Sequence, residues 1–405
     1  MSAGNTQESR VSGPLFGLFC LGSYLLSLSY GSTFLLSLLI SGRGGNEHDA
    51  GSVISAAMLS TFVAVIGSGH LADWLGAARS VALFGCLLAL ASLGFALTPG
   101  FGPGLLVFGL TLGLGWGVFY TLGPILVAML VEPAHRARYF ALLSGSMMTG
   151  IGSGPLLGRL ASALGYPLTS AFFIAAAASL LGVLIFWRLG AHLHQRASHL
   201  GTAAARITWD GTVRVLSSRA VFPILMVGLG GCVFGGLSSF QTSYGPSRGV
   251  DYSLFFLGFM SAAIASRMLI AGFVVKRDPY RASCLLSGLM VVSILLFLFA
   301  VDSSASYLLA AAVLGVGYGL TYSVINGLAA NEAPSASTSQ SLLLFSLSYF
   351  IGVFGFPLLA GRIIVESGIQ TLLFTVLGIA LLNWLISLGR LGWRRLRQPR
   401  IAHGS

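Results

Sequence analysis

The stretch GSGHLADWLGAAR, residues 67–79, decides how the rest of the chain is read. An apolar run from Val53 to Ile66 leads into it, and another from Val81 to Leu97 leads away. Both runs are too free of charge for the core helix of a water-soluble domain, so both read as membrane spans. The stretch between them is then a tight link at one membrane face. Asp73 sits where the first span leaves the hydrocarbon, and Arg79 meets the start of the next. Gly76 permits a sharp turn that a residue with a Cβ would resist.

Composition agrees. Of 405 residues, 55% are apolar and 8% charged, with a mean hydropathy of +0.88, which is the profile of a chain that crosses the lipid bilayer many times. The net charge of +11 invites a nucleic-acid partner. Gripping phosphates takes dense Lys and Arg on one face, whereas here charge is sparse and lies between apolar runs, so no nucleic-acid partner is expected. Cys20, Cys86, Cys232 and Cys284 fall inside apolar runs at no metal-like spacing and read as reduced packing residues. The first apolar run is long and lacks a small-residue cleavage site, so it reads as a retained span and not a signal peptide.

The apolar runs are approximately 14–40, 52–70, 79–97, 104–131, 138–162, 168–189, 221–244, 253–275, 282–301, 306–330, 339–364 and 370–389, which makes about twelve spans. Helices are expected, because lipid cannot satisfy open backbone groups. Orientation follows from the basic residues in the links. With the N-terminus inside, 17 of the 22 Lys and Arg lie in inner segments and four (Arg43, Arg159, Arg248, Arg362) in outer ones, with Arg267 inside a span. Both termini are therefore expected in the cytoplasm, and the chain in the cell inner (plasma) membrane. The widest gap, near 190–220, carries His192, His194, His199 and several arginines. No acidic or thiol partner accompanies the histidines, so it reads as a basic linker against anionic headgroups rather than a metal site.

An internal repeat supports the division. Gly113, Gly115, Gly117 and Tyr120 recur 202 residues later (315 − 113, 322 − 120) as Gly315, Gly317, Gly319 and Tyr322. GIGSGPLL at 150–157 recurs as GVFGFPLL at 352–359, which pairs Pro155 with Pro357. Two six-span halves that both start inside are related by an axis along the membrane normal.

The link at 67–79 carries the pattern G-x-L-x-D-x-x-G-x-x-R at Gly69, Leu71, Asp73, Gly76 and Arg79. In this it resembles the loop between the second and third spans of the major facilitator superfamily. The resemblance and the repeat together imply an all-α polytopic membrane protein of about twelve transmembrane helices in two parallel-repeat six-helix bundles. The expected layout is a bundle over 1–190, a cytoplasmic linker over 191–220, a second bundle over 221–390 and a basic tail over 391–405. The family further implies a secondary active transporter of a small molecule, working by rocker-switch alternating access.

The fifth span carries Gly150, Gly154, Pro155 and Gly158, which resemble the motif of the family's antiporter (efflux) branch. It departs from that motif at Arg159 and Ala141, where glycines are usual. Gly154 and Pro155 break the hydrogen-bond ladder, so a kink with small neighbours is expected where the halves meet and part. The Gly-x-Gly-x-Gly runs of spans four and ten follow no strand and read as close helix packing, not phosphate loops.

By the resemblance, Asp73 docks on the N-terminal end of the eleventh helix near Ser337 to Ser341 and biases one rocking state; the alternative is a carboxylate that merely ends a helix. Arg79 could pair with Glu132 on the same face. In the second half Lys276, beside Arg277 and Asp278, replaces the aspartate, so the two latches are expected to be unequal. None of the 11 acidic residues falls at mid-membrane, so protons enter only as a candidate coupling ion. Arg267 is the clearly intramembrane charge, with substrate or anion contact on one reading and gating or snorkelling on the other. Tyr30, Thr33, Tyr120, Gln241, Tyr322 and Asn326 lie near mid-span on helices that line the family's cavity, and as a set they point to a neutral or mildly polar organic substrate. Met147 and Met148 read as core fillers.

The leading expectation is therefore export of a small organic compound by a monomer, with uptake of a metabolite or organic anion as the alternative. No catalytic cluster, nucleotide loop or metal spacing is found, so neither an enzyme, a cofactor nor a metal is expected. A membrane sensor or scaffold without transport is the remaining class.

Overall fold

The computed structural model describes residues 13–131, 136–197, 207–269, 278–334 and 337–397. Every regular element among them is helical. The first half consists of α1 (Gly13–Ser32), a short turn leading into α2 (Leu36–Ser41), α3 (Glu47–Leu75), α4 (Ala77–Leu97), α5 (Pro103–Leu130), α6 (Arg136–Ala163) and α7 (Thr169–Ala197). A short helix, α8 (Trp209–Leu216), precedes the second half: α9 (Val221–Ser239), α10 (Gln241–Ser247), α11 (Ser253–Leu269), α12 (Pro279–Phe299), α13 (Ser304–Asn331), α14 (Thr338–Phe350), α15 (Phe356–Ser367) and α16 (Ile369–Arg397). One π turn, Ile351–Gly355, joins α14 to α15.

Ten of these rods, with α1–α2 and α14–α15 each taken as one, are long and apolar enough to cross a membrane. Two further helices fall outside that set: α6, whose middle is rich in glycine and serine, and α11, an apolar helix of 17 residues. Helix starts follow local chemistry. Asn46 accepts from the Asp49 N–H, and the Asp49 carboxylate accepts from the Asn46 N–H, which closes a capping box on α3. Ser303 and Ser306 do the same for α13, while Asp278 caps α12 ahead of Pro279. Gly76, the single residue between α3 and α4, has φ +82°, the left-handed region the sequence reading required of it.

The two halves repeat their packing. In the first, α5 packs on α3 and α4, and α1 on α6 and α7; in the second, α13 packs on α11 and α12, and α9 on the α14–α15 rod and α16. The glycine triplets make this possible. A Cβ on Gly113 would fall on the Ala57 carbonyl of α3, and one on Gly115 would meet Phe84 and Leu88 of α4 at 2.8–2.9 Å. Gly315 stands in the same relation to the Phe259 carbonyl of α11, and Gly317 to Leu286 and Met290 of α12 at 3.0–3.1 Å. Successive glycines thus face two different neighbours, as a thinned central helix requires.

Candidate functional site

The halves meet where α3 lies along the α14–α15 rod and where α6 lies along α11. The end of the bundle at Gly76 carries the described arginines Arg79, Arg188, Arg214, Arg219, Arg281, Arg390 and Arg394, and is the basic end.

At the opposite end the halves are joined. Arg159 of α6 forms an ion pair with Asp251, which precedes α11. Ser37 Oγ lies 3.3 Å from Ser243 Oγ, and Ser243 donates to Glu47 Oε1 at 3.0 Å. Ser55 donates to the Phe354 carbonyl at 2.5 Å and accepts from Leu358 N–H at 3.1 Å. Gly51 and Gly361 let α3 and α15 cross backbone to backbone, with Pro357 at the crossing. Partial burial works against the Asp251 carboxylate, but the Ser253 N–H, the Ser253 hydroxyl and Arg159 outweigh it and hold its pKa below the ordinary value.

Aromatic rings fill the middle. Tyr30 stacks on Trp116 at 4.5 Å, Tyr120 on Tyr349 at 5.8 Å and Phe234 on Tyr318 at 5.1 Å. The repeat partners Tyr120 and Tyr322 meet across the axis with their hydroxyls 2.6 Å apart. Arg267 of α11 reaches across the same layer. Its Nε donates to the Gly319 carbonyl at 3.2 Å, and its Nη1 to Ser144 Oγ and, at 3.1 Å, to Met148 Sδ of α6. Among the described residues it forms no ion pair, so a guanidinium bridges the halves on neutral acceptors alone.

The other expected cavity residues are more dispersed. Thr33 donates to the Tyr30 carbonyl at 2.7 Å, within its own helix. Gln241 is buried and accepts from Tyr307 at 2.6 Å, inside the second half. Asn326 is half-buried, four residues beyond Tyr322 towards the basic end.

Helix α6 runs unbroken through Pro155. Gly150, Gly154 and Gly158 all face the first rod: a Cβ on Gly150 would fall on the Tyr24 carbonyl, one on Gly154 on the Gly31–Ser32 peptide, and one on Gly158 on Leu35. Gly152 faces the other half, where a Cβ would lie 2.6 Å from Met260. Of the latch residues, Gly69 is buried in α3, and Asp73 and Arg79 are exposed on either side of Gly76. Glu132, Lys276 and Arg277 lie outside the described residues. The N-terminus of α14 is approached by the short helix α8: Gln340 Nε2 donates to the Thr208 carbonyl at 2.5 Å and to Thr212 Oγ1 at 3.0 Å.

Several functional contacts were not visible in the sequence. The Arg159–Asp251 pair joins the end of α6 to the residue ahead of α11, 92 residues apart. Arg43 and Arg248, counted only as exceptions to the charge rule, cap helix C-termini: Arg43 donates to the Phe95 and Ala96 carbonyls of α4 at 2.8 and 3.1 Å, and Arg248 to Leu298 of α12 at 3.0 Å. Their matching places in the two halves were a signal the repeat could have supplied.

The sequence profile of the Major Facilitator Superfamily matches residues 15–357. A curated relative, the peptide transporter YePEPT of Yersinia enterocolitica subsp. palearctica serotype O:3 (strain YE-P4), is 33% identical over 159 residues, which cover 36% of this chain and 31% of that protein. The matched part thus spans about a third of the relative's length. Among solved structures, the nucleoside transporter NupG superposes with a TM-score of 0.73 at 16% identity, covering 93% of this chain and 99% of the other. A peptide transporter POT superposes with a TM-score of 0.73 at 18% identity, covering 94% and 95%. At these identities the structural likeness is one of fold.

Proposed function

The chain belongs to the Major Facilitator Superfamily, and from that premise we propose that it moves a small organic anion across the plasma membrane by alternating access. It is a secondary transporter and not an enzyme. One observation carries the substrate class: Arg267 bridges the halves without an acidic partner among the described residues. A charge at mid-membrane costs about 2.5–3.5 kcal/mol on insertion scales, and neutral hydroxyl, carbonyl and thioether acceptors offset it poorly. A carboxylate on the cargo would supply the missing negative charge and accept two parallel bonds from the planar guanidinium. It would draw the guanidinium off Ser144 and Met148, which loosens the α6–α11 contact as the cargo binds. The surrounding tyrosines supply flat faces and hydroxyls for the rest of the molecule. The carboxylate terminus of a peptide, the cargo named for YePEPT, has this chemistry.

The excess of basic residues supports a cytoplasmic basic end. The Gly150–Gly158 pattern supports export; Gly150, Gly154 and Gly158 seat α6 on the first rod of its own half, and Pro357, at the crossing of α3 with α15, is a place where the halves pivot. Outward movement of an anion is favoured by an inside-negative potential, by about 2.3 kcal/mol per charge per 100 mV. The absence of acidic residues from mid-membrane in the sequence fits a potential-driven flux. At the basic end, Asp73 resting on the positive N-terminal end of α14 would hold that end shut.

Proteoliposomes loaded with labelled small carboxylates, under a potassium diffusion potential, test this. Flux should follow the potential, fall about tenfold or more in Arg267→Gln, and be slight for uncharged analogues of the same size. Equal flux of charged and uncharged analogues, unchanged by Arg267→Gln, rules the reading out. A flux that follows an imposed pH gradient instead assigns the coupling to protons.

A further inference from the structure

At the basic end of the second half, four helix ends line an open cavity of ≈ 190 Å³. A single water needs about 10–15 Å³ on the same kind of measure, so the space admits a polyatomic group. Its walls carry Arg219, Arg390 and Arg394, the rings of Phe222, Tyr280 and Trp393, and Glu332.

The charges here do not balance. Glu332 is taken by Arg390, at 2.6 Å to Oε1, and by the Tyr280 hydroxyl; Arg390 is 8% exposed and held between the Phe222 and Tyr280 rings at 5.5 and 5.1 Å. Asp278 is taken by Arg394, with Arg281 at 3.9 Å. Arg219 stacks its guanidinium over Trp393 at 4.9 Å and forms no ion pair among the described residues. Among the described residues, four arginines thus meet two carboxylates, an excess of two positive charges, and the Arg219 guanidinium donates no hydrogen bond.

We propose that this cavity binds a phosphate group, with Arg219 as its principal ligand and Arg390 and Arg394 beside it. A lipid phosphodiester carries one negative charge, and a phosphate monoester about −1.5 to −2 with three strong acceptor oxygens, so either offsets part or all of the charge excess and accepts from the free donors. Arginine offers a planar fork suited to phosphate, and its stacking on Trp393 orients that fork in advance. Two sources can present the group: an anionic lipid headgroup or a soluble phosphate. The neighbouring surface favours a lipid, because Leu225 and Leu385 stand 51% and 57% exposed on α9 and α16, where acyl chains would lie.

The full chain, purified in detergent, is titrated with phosphatidylglycerol, phosphatidylcholine and inorganic phosphate, and thermal unfolding and native mass spectrometry are read. Phosphatidylglycerol should stabilise the protein more than phosphatidylcholine does. In Arg219→Ala that preference should weaken about tenfold, as expected for one lost bond to a charged group, while Arg219→Lys keeps part of it. A matching response to inorganic phosphate assigns a soluble ligand; a response to phosphatidylglycerol alone assigns the lipid. No preference over phosphatidylcholine together with no response to phosphate, or an Arg219→Ala protein that responds as the parent does, overturns the proposal.

Discussion

Arg267 and Asp73 show how differently single residues disclose themselves. Arg267 stood out in the sequence because it is a charge inside an apolar run, and the structure gives that charge three neutral acceptors on both halves. Its acceptors on α6, Ser144 and Met148, were not legible, since a serine and a methionine in a span look like packing. Asp73 was legible only through the pattern around it. It ends α3 on the exposed side of Gly76, and its proposed docking on α14 is an interaction of about 0.3–1 kcal/mol. Asp73→Asn should therefore slow transport about two- to fivefold while leaving substrate affinity and folding near normal. Unchanged turnover in reconstituted vesicles counts against the latch.

Among the elements, α6 and α13 carry the most information. The glycine periodicity of α13 announced close packing, and the structure shows why glycines two apart are needed: they address α11 and α12 in turn. The 202-residue repeat went further, for it paired Tyr120 with Tyr322, and these are the residues whose hydroxyls meet. In α6 the sequence pointed to a kink at Pro155 where the halves meet; the helix runs on through Pro155, and Gly150, Gly154 and Gly158 lie against the first rod of the same half. Proline removes one hydrogen bond, and neighbouring helices in lipid can hold the rod together around that gap. Gly154→Ala would drive a Cβ into the Gly31–Ser32 backbone and should cost about 1–3 kcal/mol, read as a lower unfolding temperature in detergent. Gly145→Ala in the same helix meets open space and should be neutral or stabilising by up to about 1 kcal/mol. If both variants lose stability equally, the packing account of α6 is wrong.

At the scale of the whole molecule, the fold was readable because lipid leaves so few options: apolar runs and a basic bias give the spans, and the repeat with the family resemblance at 67–79 gives the two bundles. The contacts that close the end opposite Gly76 were not readable, because Arg159 and Asp251, or Ser37 and Ser243, are brought together only by assembly of the two halves. The Asp251 carboxyl is held below its ordinary pKa, so the stabilisation it gives is present above the usual aspartate range and is lost only as pH falls through the depressed value. This end should accordingly stay shut across pH 5 to 8 in the parent, whereas Asp251→Asn should open it more often at every pH in that window. Labelling of a cysteine placed at Ser243 reads the difference, and equal labelling in parent and variant removes the ion pair from the account. The central claim is that the two halves rock about a shared axis and that this end must part during transport. The most direct measurement is disulfide trapping of Ser37→Cys with Ser243→Cys, whose parent hydroxyls are 3.3 Å apart, in a chain with its four native cysteines replaced. Oxidation should abolish flux and reductant should restore it; full cross-linking with undiminished flux would contradict the rocking mechanism.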